Sequence, residues 1–247
     1  MTPWVRRTKR ALDVLISTVG LILTVPLYPF IAAAIFLESR GGIFFRQLRA
    51  GELLGPVDGQ PGRFRFREFS MLKFRTMRPD AGTYTGPVLT EENDPRVTRV
   101  GRVLRKTRLD ELPQFWNVLR GEMSIIGPRP EQPELMTNLS LTIPYFEERM
   151  RALKPGITGL AQVLLGYSGR PPEGSALAAM AHELTNPFKL DGTEGALADD
   201  MRMKLLCDLA YGLAAEKFLA FARLETEILF RTPLVMLMGL RRKSLGR

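Results

Sequence analysis

The sequence predicts a helix-rich domain with a pair of strands near its start, held at a membrane by its own N-terminal segment. Three observations carry this. Val14 to Leu37 is a run of 24 residues without a charged side chain, and about 20 apolar residues suffice to cross a bilayer as a helix. Residues 40–51 and 63–77 read as two strand-like segments joined by a Gly/Pro-rich loop from Gly51 to Gly62. Beyond Asp94 the apolar residues recur mostly at helical spacing.

The first element is too long for the apolar core of a signal peptide, and no small-residue cleavage site follows it. Pro26 lies near its middle and Pro29 a turn later, and an interior proline removes a hydrogen bond and kinks a helix. Both flanks are basic, with Arg6, Arg7, Lys9 and Arg10 before the run and Arg40, Arg46 and Arg49 after it. Basic flanks stay in the cytoplasm, so if both obey the rule the segment enters and returns on one face. Two legs of about 12 residues would reach about 18 Å, a little over half of the hydrocarbon core. A kinked spanning helix fits the same signals, because proline is tolerated in transmembrane helices.

After the strands, Asp80 to Asn93 reads as a loop. Asp94-Pro95 is expected to open a helix carrying Val97, Val100, Val103 and Leu104 on one face. Asp110 then reads as an N-cap, with Pro113 in the first turn and Leu112, Phe115, Trp116 and Leu119 at helical spacing. Gly121 suits the end of that helix. Gly127 to Pro133 is a stiff loop, Ser140 to Leu153 looks helical, and Lys154 to Gly159 is turn-rich. Residues 166–198 are expected to form loops and one short helix. Met201 to Leu229 reads as one long amphipathic helix. The remainder turns apolar (Leu234 to Met238) and then basic (Arg241, Arg242, Lys243). Both a helix lying on an anionic membrane surface and an ordinary packing helix with a solvated end fit that tail.

Composition narrows the chemistry. The chain has 247 residues and a formal net charge of +9, and roughly 200 residues outside the anchor are enough for one domain with a real core. The basic balance calls for an anionic partner: nucleic acid, lipid headgroups or phosphorylated substrates. Arg63-Phe64-Arg65-Phe66-Arg67 interleaves cations with aromatics, but no nucleic-acid motif accompanies it, and the alternation equally describes a half-buried strand. The single cysteine, Cys207, excludes an internal disulfide and a cysteine-rich zinc site, and is expected to fill a helix face. The single histidine, His182, excludes histidine clusters. Any metal must rest on oxygen ligands, which points to Mg2+ or Mn2+.

The most informative stretch is Thr107-Arg108-Leu109-Asp110-Glu111-Leu112-Pro113-Gln114, followed by Gly127-Pro128-Arg129-Pro130. Asp110 and Glu111 would sit at the start of a short helix, where the macrodipole favours anions and should hold Asp110 ionised. A positioned carboxylate can ligate a metal or act as a nucleophile. An Asp-Glu pair alone is more often a helix cap with the glutamate in solvent. The arginines crowded around this one favour chemistry.

These residues resemble the bacterial sugar transferases, the monotopic polyprenyl-phosphate phosphoglycosyl transferases. The resemblance begins at Lys9-Arg10-Ala11-Leu12-Asp13 and continues through Phe45 to Gly51 and Lys73-Phe74-Arg75-Thr76-Met77. It is strongest from Asp94-Pro95-Arg96-Val97-Thr98 through Leu109 to Gln114 and on to Pro128-Arg129-Pro130. It resumes at Pro155 to Val163 and, more weakly, at Asp208-Leu209-Ala210-Tyr211. The loop from Glu52 to Gly62 looks longer than the family's, and residues 166–198 depart from its pattern, which leaves the sugar open. The chain resembles the small, minimal form.

The resemblance implies an α+β domain half-sunk on the cytoplasmic face of the bacterial inner membrane. The anchor would be a re-entrant helix-break-helix with Pro26 at the break. The chain then divides into an anchor over 1–39, a catalytic domain over 40–200 and a C-terminal amphipathic helical segment over 201–247. The implied reaction moves a sugar-1-phosphate from a UDP-sugar to polyprenyl (undecaprenyl) phosphate and releases UMP, a first membrane step of glycan assembly. By the same resemblance Asp110 is a covalent nucleophile and Glu111 a magnesium ligand, with Asp110 beside it at the metal.

Phosphate neutralisation then falls to the cations. Arg105 lies a turn and a bend before Asp110, and Arg129 is aimed by two prolines; both suit bidentate phosphate contacts. Lys73 and Arg75 suit phosphate or lipid headgroups equally. Arg96 and Gln162 are weaker candidates for shaping the site, and Arg108 reads as surface or lipid-facing. Anionic lipids are expected partners, nucleic acid is not, and the oligomeric state is open. The competing readings are a basic lipid- or nucleic-acid-binding module without catalysis, which leaves Asp110-Glu111 unexplained, and a membrane scaffold.

Overall fold

The computed structural model describes residues 1–79, 94–165, 174, 178–179 and 197–245. Helix α1 spans Pro3–Thr24 behind an N-cap at Thr2, whose hydroxyl accepts from the Val5 amide. A 3-10 turn over Val25–Leu27 carries Pro26, and α2 follows over Tyr28–Glu38. The helix thus loses its α geometry at the proline, where an i→i−4 bond cannot form. The whole stretch Pro3–Glu38 is long and apolar enough to cross a membrane.

Every fourth residue of the first half of α1 is buried: Val5, Lys9, Asp13 and Ser17. Residues four apart share one face of a helix, and this face meets the body of the protein. Lys9 Nζ lies 3.0 Å from a Glu225 oxygen, and Asp13 accepts from the Ser124 hydroxyl and the Ile125 amide, both at 2.9 Å. In α2, Ile31 and Ile35 pack with Phe74 and Leu104. Both ends of the apolar stretch therefore rest on the same body, while Ile22, Leu23, Phe30 and Leu37 face outward.

Strands β1 (Phe44–Pro56) and β2 (Phe64–Phe74) form an antiparallel hairpin, with Phe44 opposite Phe74 and Pro56 opposite Phe64. The expected loop from Gly51 is shorter than the sequence suggests, because pairing continues to Pro56 across two irregularities in register. Gly51 makes this possible: a Cβ there would sit 2.6 Å from the Arg67 carbonyl, a close approach only glycine allows. The Arg63–Arg67 stretch lies at and within β2, and Phe66 packs against a core cluster, as a half-buried strand should.

Helix α3 spans Arg99–Thr107. It does not begin at Asp94-Pro95, because the Asp94 carboxylate grips Arg96 and the cap passes to Thr98, whose hydroxyl accepts from the Gly101 amide. Arg108 adopts a left-handed conformation (φ 60) that ends α3. Leu109–Glu111 is a 3-10 turn and α4 begins only at Gln114–Arg120, so Asp110 is not the N-cap of α4. Three residues per turn place Leu109 and Leu112 on the same side, and both pack on the Phe74–Leu104 cluster, while Phe115 packs on the central core. Gly121 (φ 78) closes α4 as expected.

The turn-rich stretch near Pro155 contains a strand: β3 (Ser124–Ile126) pairs in parallel with β4 (Gly156–Thr158). Helix α5 spans Pro133–Thr142, earlier than the periodicity suggests, with proline in its first turn as the geometry favours. Pro144 and the left-handed Tyr145 (φ 63) then allow only a 3-10 turn over Phe146–Met150. Helix α6 is short (Leu160–Leu164). The long helix expected from Met201 is two, α7 (Leu197–Ala214) and α8 (Phe218–Leu245), and α8 continues through Pro233 into the tail.

The central core joins Phe69 and Met71 of β2, Val118 of α4, Ile125 and Ile126 of β3, Tyr211 of α7 and Ile228 of α8. A second core gathers Met136, Leu139, Phe146, Met150, Met201 and Leu205. The expected helix-rich α+β architecture with a long apolar N-terminal helix is what the chain adopts. The loop 80–93, His182 and nearly all of 166–196 lie outside the described residues, as do the side chains beyond Met236.

Candidate active site

Asp110 and Glu111 are both buried, at 6% and 8% exposure, although each carries a charge at neutral pH. One oxygen of Glu111, Oε1, is met by three cations from three parts of the chain. Lys73 of β2 lies 3.3 Å away, and Arg108 and Arg129 each 3.4 Å. Burying a carboxylate is costly unless it is paired, and these contacts are the pairing. Asp110 Oδ1, by contrast, is buried without a hydrogen-bond partner among the described residues. Such an orphan calls for a reason, and a reacting atom is one.

The electrostatics separate the two carboxyls. Burial pushes Asp110 up and the charge of Glu111 adds to it; Lys73, Arg108 and Arg105 pull the other way, and the balance is about 6 against an ordinary 3.8. Burial would raise Glu111 too, but Arg129, Lys73 and Arg108 outweigh it and hold this group down at about 2. Glu111 is thus a fixed anion, and Asp110 is ionised above about pH 6. Asp110 sits in a desolvated 3-10 turn rather than at a helix cap, so the cations around it, and not a helix macrodipole, favour its ionised form.

The arginine between the prolines is held from behind. Arg149, 1% exposed in its side chain, pairs with Asp208 at 2.7 Å and donates to the Arg129 carbonyl at 3.2 Å. Arg49 donates to the Pro130 carbonyl at 3.2 Å, and the Ala50 amide bonds the Glu131 carbonyl at 2.9 Å. Gly127 opens the loop where β3 and β4 converge: a Cβ there would lie 2.2 Å from the Lys154 carbonyl. Asn117 of α4 fixes β2 from its other side, bonding the Leu72 amide (3.0 Å) and the Ser70 carbonyl (2.8 Å), next to Lys73.

The sequence matches the family described as bacterial sugar transferase over residues 4–239. The chain belongs to the bacterial sugar transferase family. It is 42% identical over 160 residues to a UDP-N-acetylgalactosamine-undecaprenyl-phosphate N-acetylgalactosaminephosphotransferase of Aeromonas hydrophila, covering 65% of this chain and 34% of that protein. It is 38% identical over 176 residues to the exopolysaccharide production protein PSS of Rhizobium leguminosarum bv. phaseoli, covering 69% and 82%. It is 45% identical over 159 residues to a UDP-glucose:undecaprenyl-phosphate glucose-1-phosphate transferase of Caulobacter vibrioides, covering 63% and 53%. The chain thus spans about a third of the Aeromonas relative's length but most of the Rhizobium one.

In this member of the family the structure brings Asp110, Glu111, Lys73 and Arg129 together. Arg105 joins them electrostatically through Asp110, with its Nε donating to the Thr76 hydroxyl at 2.8 Å. Arg108, read from the sequence as surface or lipid-facing, instead turns inward to Glu111 because its left-handed backbone reverses the chain. Arg75 points elsewhere: its guanidinium donates to the Ser39 and Arg40 carbonyls and closes the end of α2. Arg96 is engaged by Asp94, and Gln162 donates to the Ile157 carbonyl at 3.1 Å with its Oε1 buried and unpaired. Sequence reasoning missed Arg49, Asn117 and the Arg149–Asp208 pair. Arg49 and Asp208 did carry a signal, because both lie in stretches of the resemblance, Phe45 to Gly51 and Asp208 to Tyr211, although neither stretch gave them a role.

Proposed function

We propose that this protein transfers a sugar-1-phosphate from a UDP-sugar to undecaprenyl phosphate, releasing UMP, and so initiates assembly of a bacterial polysaccharide at the membrane. The observation that carries the reading is the split carboxylate pair: Glu111 clamped by three cations beside an Asp110 oxygen that no described residue hydrogen-bonds. The activities for which the Aeromonas and Caulobacter relatives are named supply the substrate class. They differ in their sugars, so the sugar is left open.

Asp110 attacks the β-phosphorus of the UDP-sugar, the bridging P–O bond breaks, and UMP leaves. An oxygen of the polyprenyl phosphate then attacks the aspartyl phosphorus and frees Asp110. Attack by one anion on another requires neutralisation, and Lys73, Arg105, Arg108 and Arg129 bring four cations to two carboxylates. Because an acyl phosphate forms on a group ionised above about pH 6, no strong base is needed to activate it. Among the described residues no three His, Cys, Asp or Glu side chains gather as a metal cage. A hard cation that keeps water and substrate oxygens needs only one or two carboxylates, and the unpartnered Asp110 Oδ1 suits it. Asp110 and Glu111 would hold Mg2+, which supplies charge neutralisation at the phosphates.

We read the anchor as re-entrant, placing the domain on the cytoplasmic face. Support comes from α1 and α2 both packing on the same body on either side of the break at Pro26. The test of the function is incubation of the membrane-reconstituted protein with a panel of UDP-sugars and undecaprenyl phosphate. UMP should appear with at least one sugar and be lost in Asp110→Asn; no UMP with any sugar would contradict the reading.

A further inference from the structure

A shallow, wide-open groove of about 800 Å³, lined by α1 alone, runs along the outward face of that helix and belongs to no part of the site above. Its upper end is lined by Arg6, Arg7 and Arg10, and its lower end by Val14, Leu15 and Thr18. We propose that this groove binds one anionic phospholipid, headgroup phosphate against the arginines and acyl chains along the apolar end. This rests on the membrane association proposed above.

The polarity of the groove argues for that occupant. Arg6 and Arg7 are exposed, and neither forms an ion pair among the described residues. Arg10 is held in place, donating to the Val118 and Leu119 carbonyls at 2.6 and 2.7 Å, so the arginine wall is rigid on its inner side. Among the described residues no acidic side chain lines the groove, so its charge complements an anion and not a zwitterion. From Arg6 to Thr18 is 12 residues, about 18 Å along a helix, against about 15 Å for the hydrocarbon of one leaflet. The groove therefore has the length and head-to-tail order of one phospholipid.

Its location separates it from the transfer site. Arg10 grips the C-terminal end of α4, whereas Asp110 precedes its N-terminal end. On this placement the proposed phospholipid is distinct from the polyprenyl phosphate undergoing reaction. Because Lys9 and Asp13 on the adjacent face tie α1 to α8 and β3, a bound lipid would set the depth of the whole body in the membrane.

The experiment is native mass spectrometry of the full chain released from nanodiscs of mixed phosphatidylglycerol and phosphatidylcholine. The wild type should retain phosphatidylglycerol well above its share of the bilayer. A basic side chain at an anionic surface is worth about fivefold in binding, so Arg6→Gln/Arg7→Gln should lower the preference roughly twentyfold. Arg6→Lys/Arg7→Lys and the hairpin-tip variant Arg63→Gln/Arg65→Gln should keep it. Retention in proportion to bilayer composition by the wild type, or an unchanged preference in the double glutamine variant, would overturn the proposal. If the glutamine variant does not insert, the wild-type ratio and the lysine variant decide alone. Lipid retention is read without turnover, so an inactive wild type that still selects phosphatidylglycerol would count against the proposed transferase reaction and not against the groove.

Discussion

Asp110 carries the sharpest consequences at the scale of single residues. Its ordinary carboxyl value is 3.8 and its value here about 6, so the folded protein prefers it protonated. The stabilisation from protonation is present in full below about pH 4 and is lost as pH rises through about 6. Asp110→Asn should therefore abolish UMP release yet raise stability at pH 7 by up to about 3 kcal/mol. Chemical denaturation in detergent should show that gap shrinking toward zero near pH 4, and activity of the wild type should fall below about pH 6. A destabilised asparagine variant at pH 7 would mean the carboxylate is paired in a way the geometry does not contain.

Glu111 behaves oppositely. Held at about 2 against an ordinary 4.5, its contribution is present above about pH 4.5 and lost only as pH falls through about 2. The sequence exposes the presence of this pair but not its division of labour, because that division comes from Arg129 and Lys73, which lie 18 and 38 positions away and meet Glu111 at 3.4 and 3.3 Å. Arg129→Lys keeps the charge but not the planar pair of donors, and should lower kcat/KM by at least tenfold, since bidentate phosphate contacts are lost. Steady-state kinetics check this, and wild-type values would reduce Arg129 to a surface charge.

Among the elements, α3 and α4 show why local pattern misplaces boundaries by a turn. Asp94 and Asp110 both look like caps, but each is drawn away, Asp94 to Arg96 and Asp110 into the 3-10 turn demanded by Leu109 and Leu112. A local ion pair decided the first and tertiary packing the second. The helix at Pro26 breaks where the sequence says, because proline acts on its own backbone whatever surrounds it. Gly101 was silent in the sequence, yet a Cβ on it would lie 2.0 Å from the Thr76 carbonyl. Gly101→Ala should push α3 away from the end of β2, cost about 1–3 kcal/mol and disturb the Arg105–Thr76 bond. A thermal melt in detergent reads the first effect and UMP release the second.

For the whole molecule, topology and reaction order are the two tests. Cysteines placed by Thr2→Cys and by Glu134→Cys on exposed α5 should label from the same face of sealed vesicles if the anchor returns, with buried Cys207 silent. Pro26→Leu, which removes an interruption worth about 3 kcal/mol, should shift part of the population to opposite-face labelling. Labelling of the two positions from opposite faces while Pro26 is intact would sink the hairpin. How the body sits on both halves of the anchor was not legible in the sequence: Lys9 meets Glu225 across 216 positions and Asp13 meets Ile125 across 112, and no periodicity announces such partners. The resemblance nonetheless covered Lys9, Asp13 and Asp208 without giving them roles.

The central claim is that Asp110 takes the sugar phosphate before the acceptor arrives. Rapid mixing of the enzyme with its UDP-sugar alone should release about one equivalent of UMP per active site as a burst. Mass spectrometry should then find a sugar phosphate on the peptide carrying Asp110. No acceptor-independent UMP, together with kinetics that require both substrates bound at once, would contradict it and leave Asp110 as a metal ligand in direct transfer.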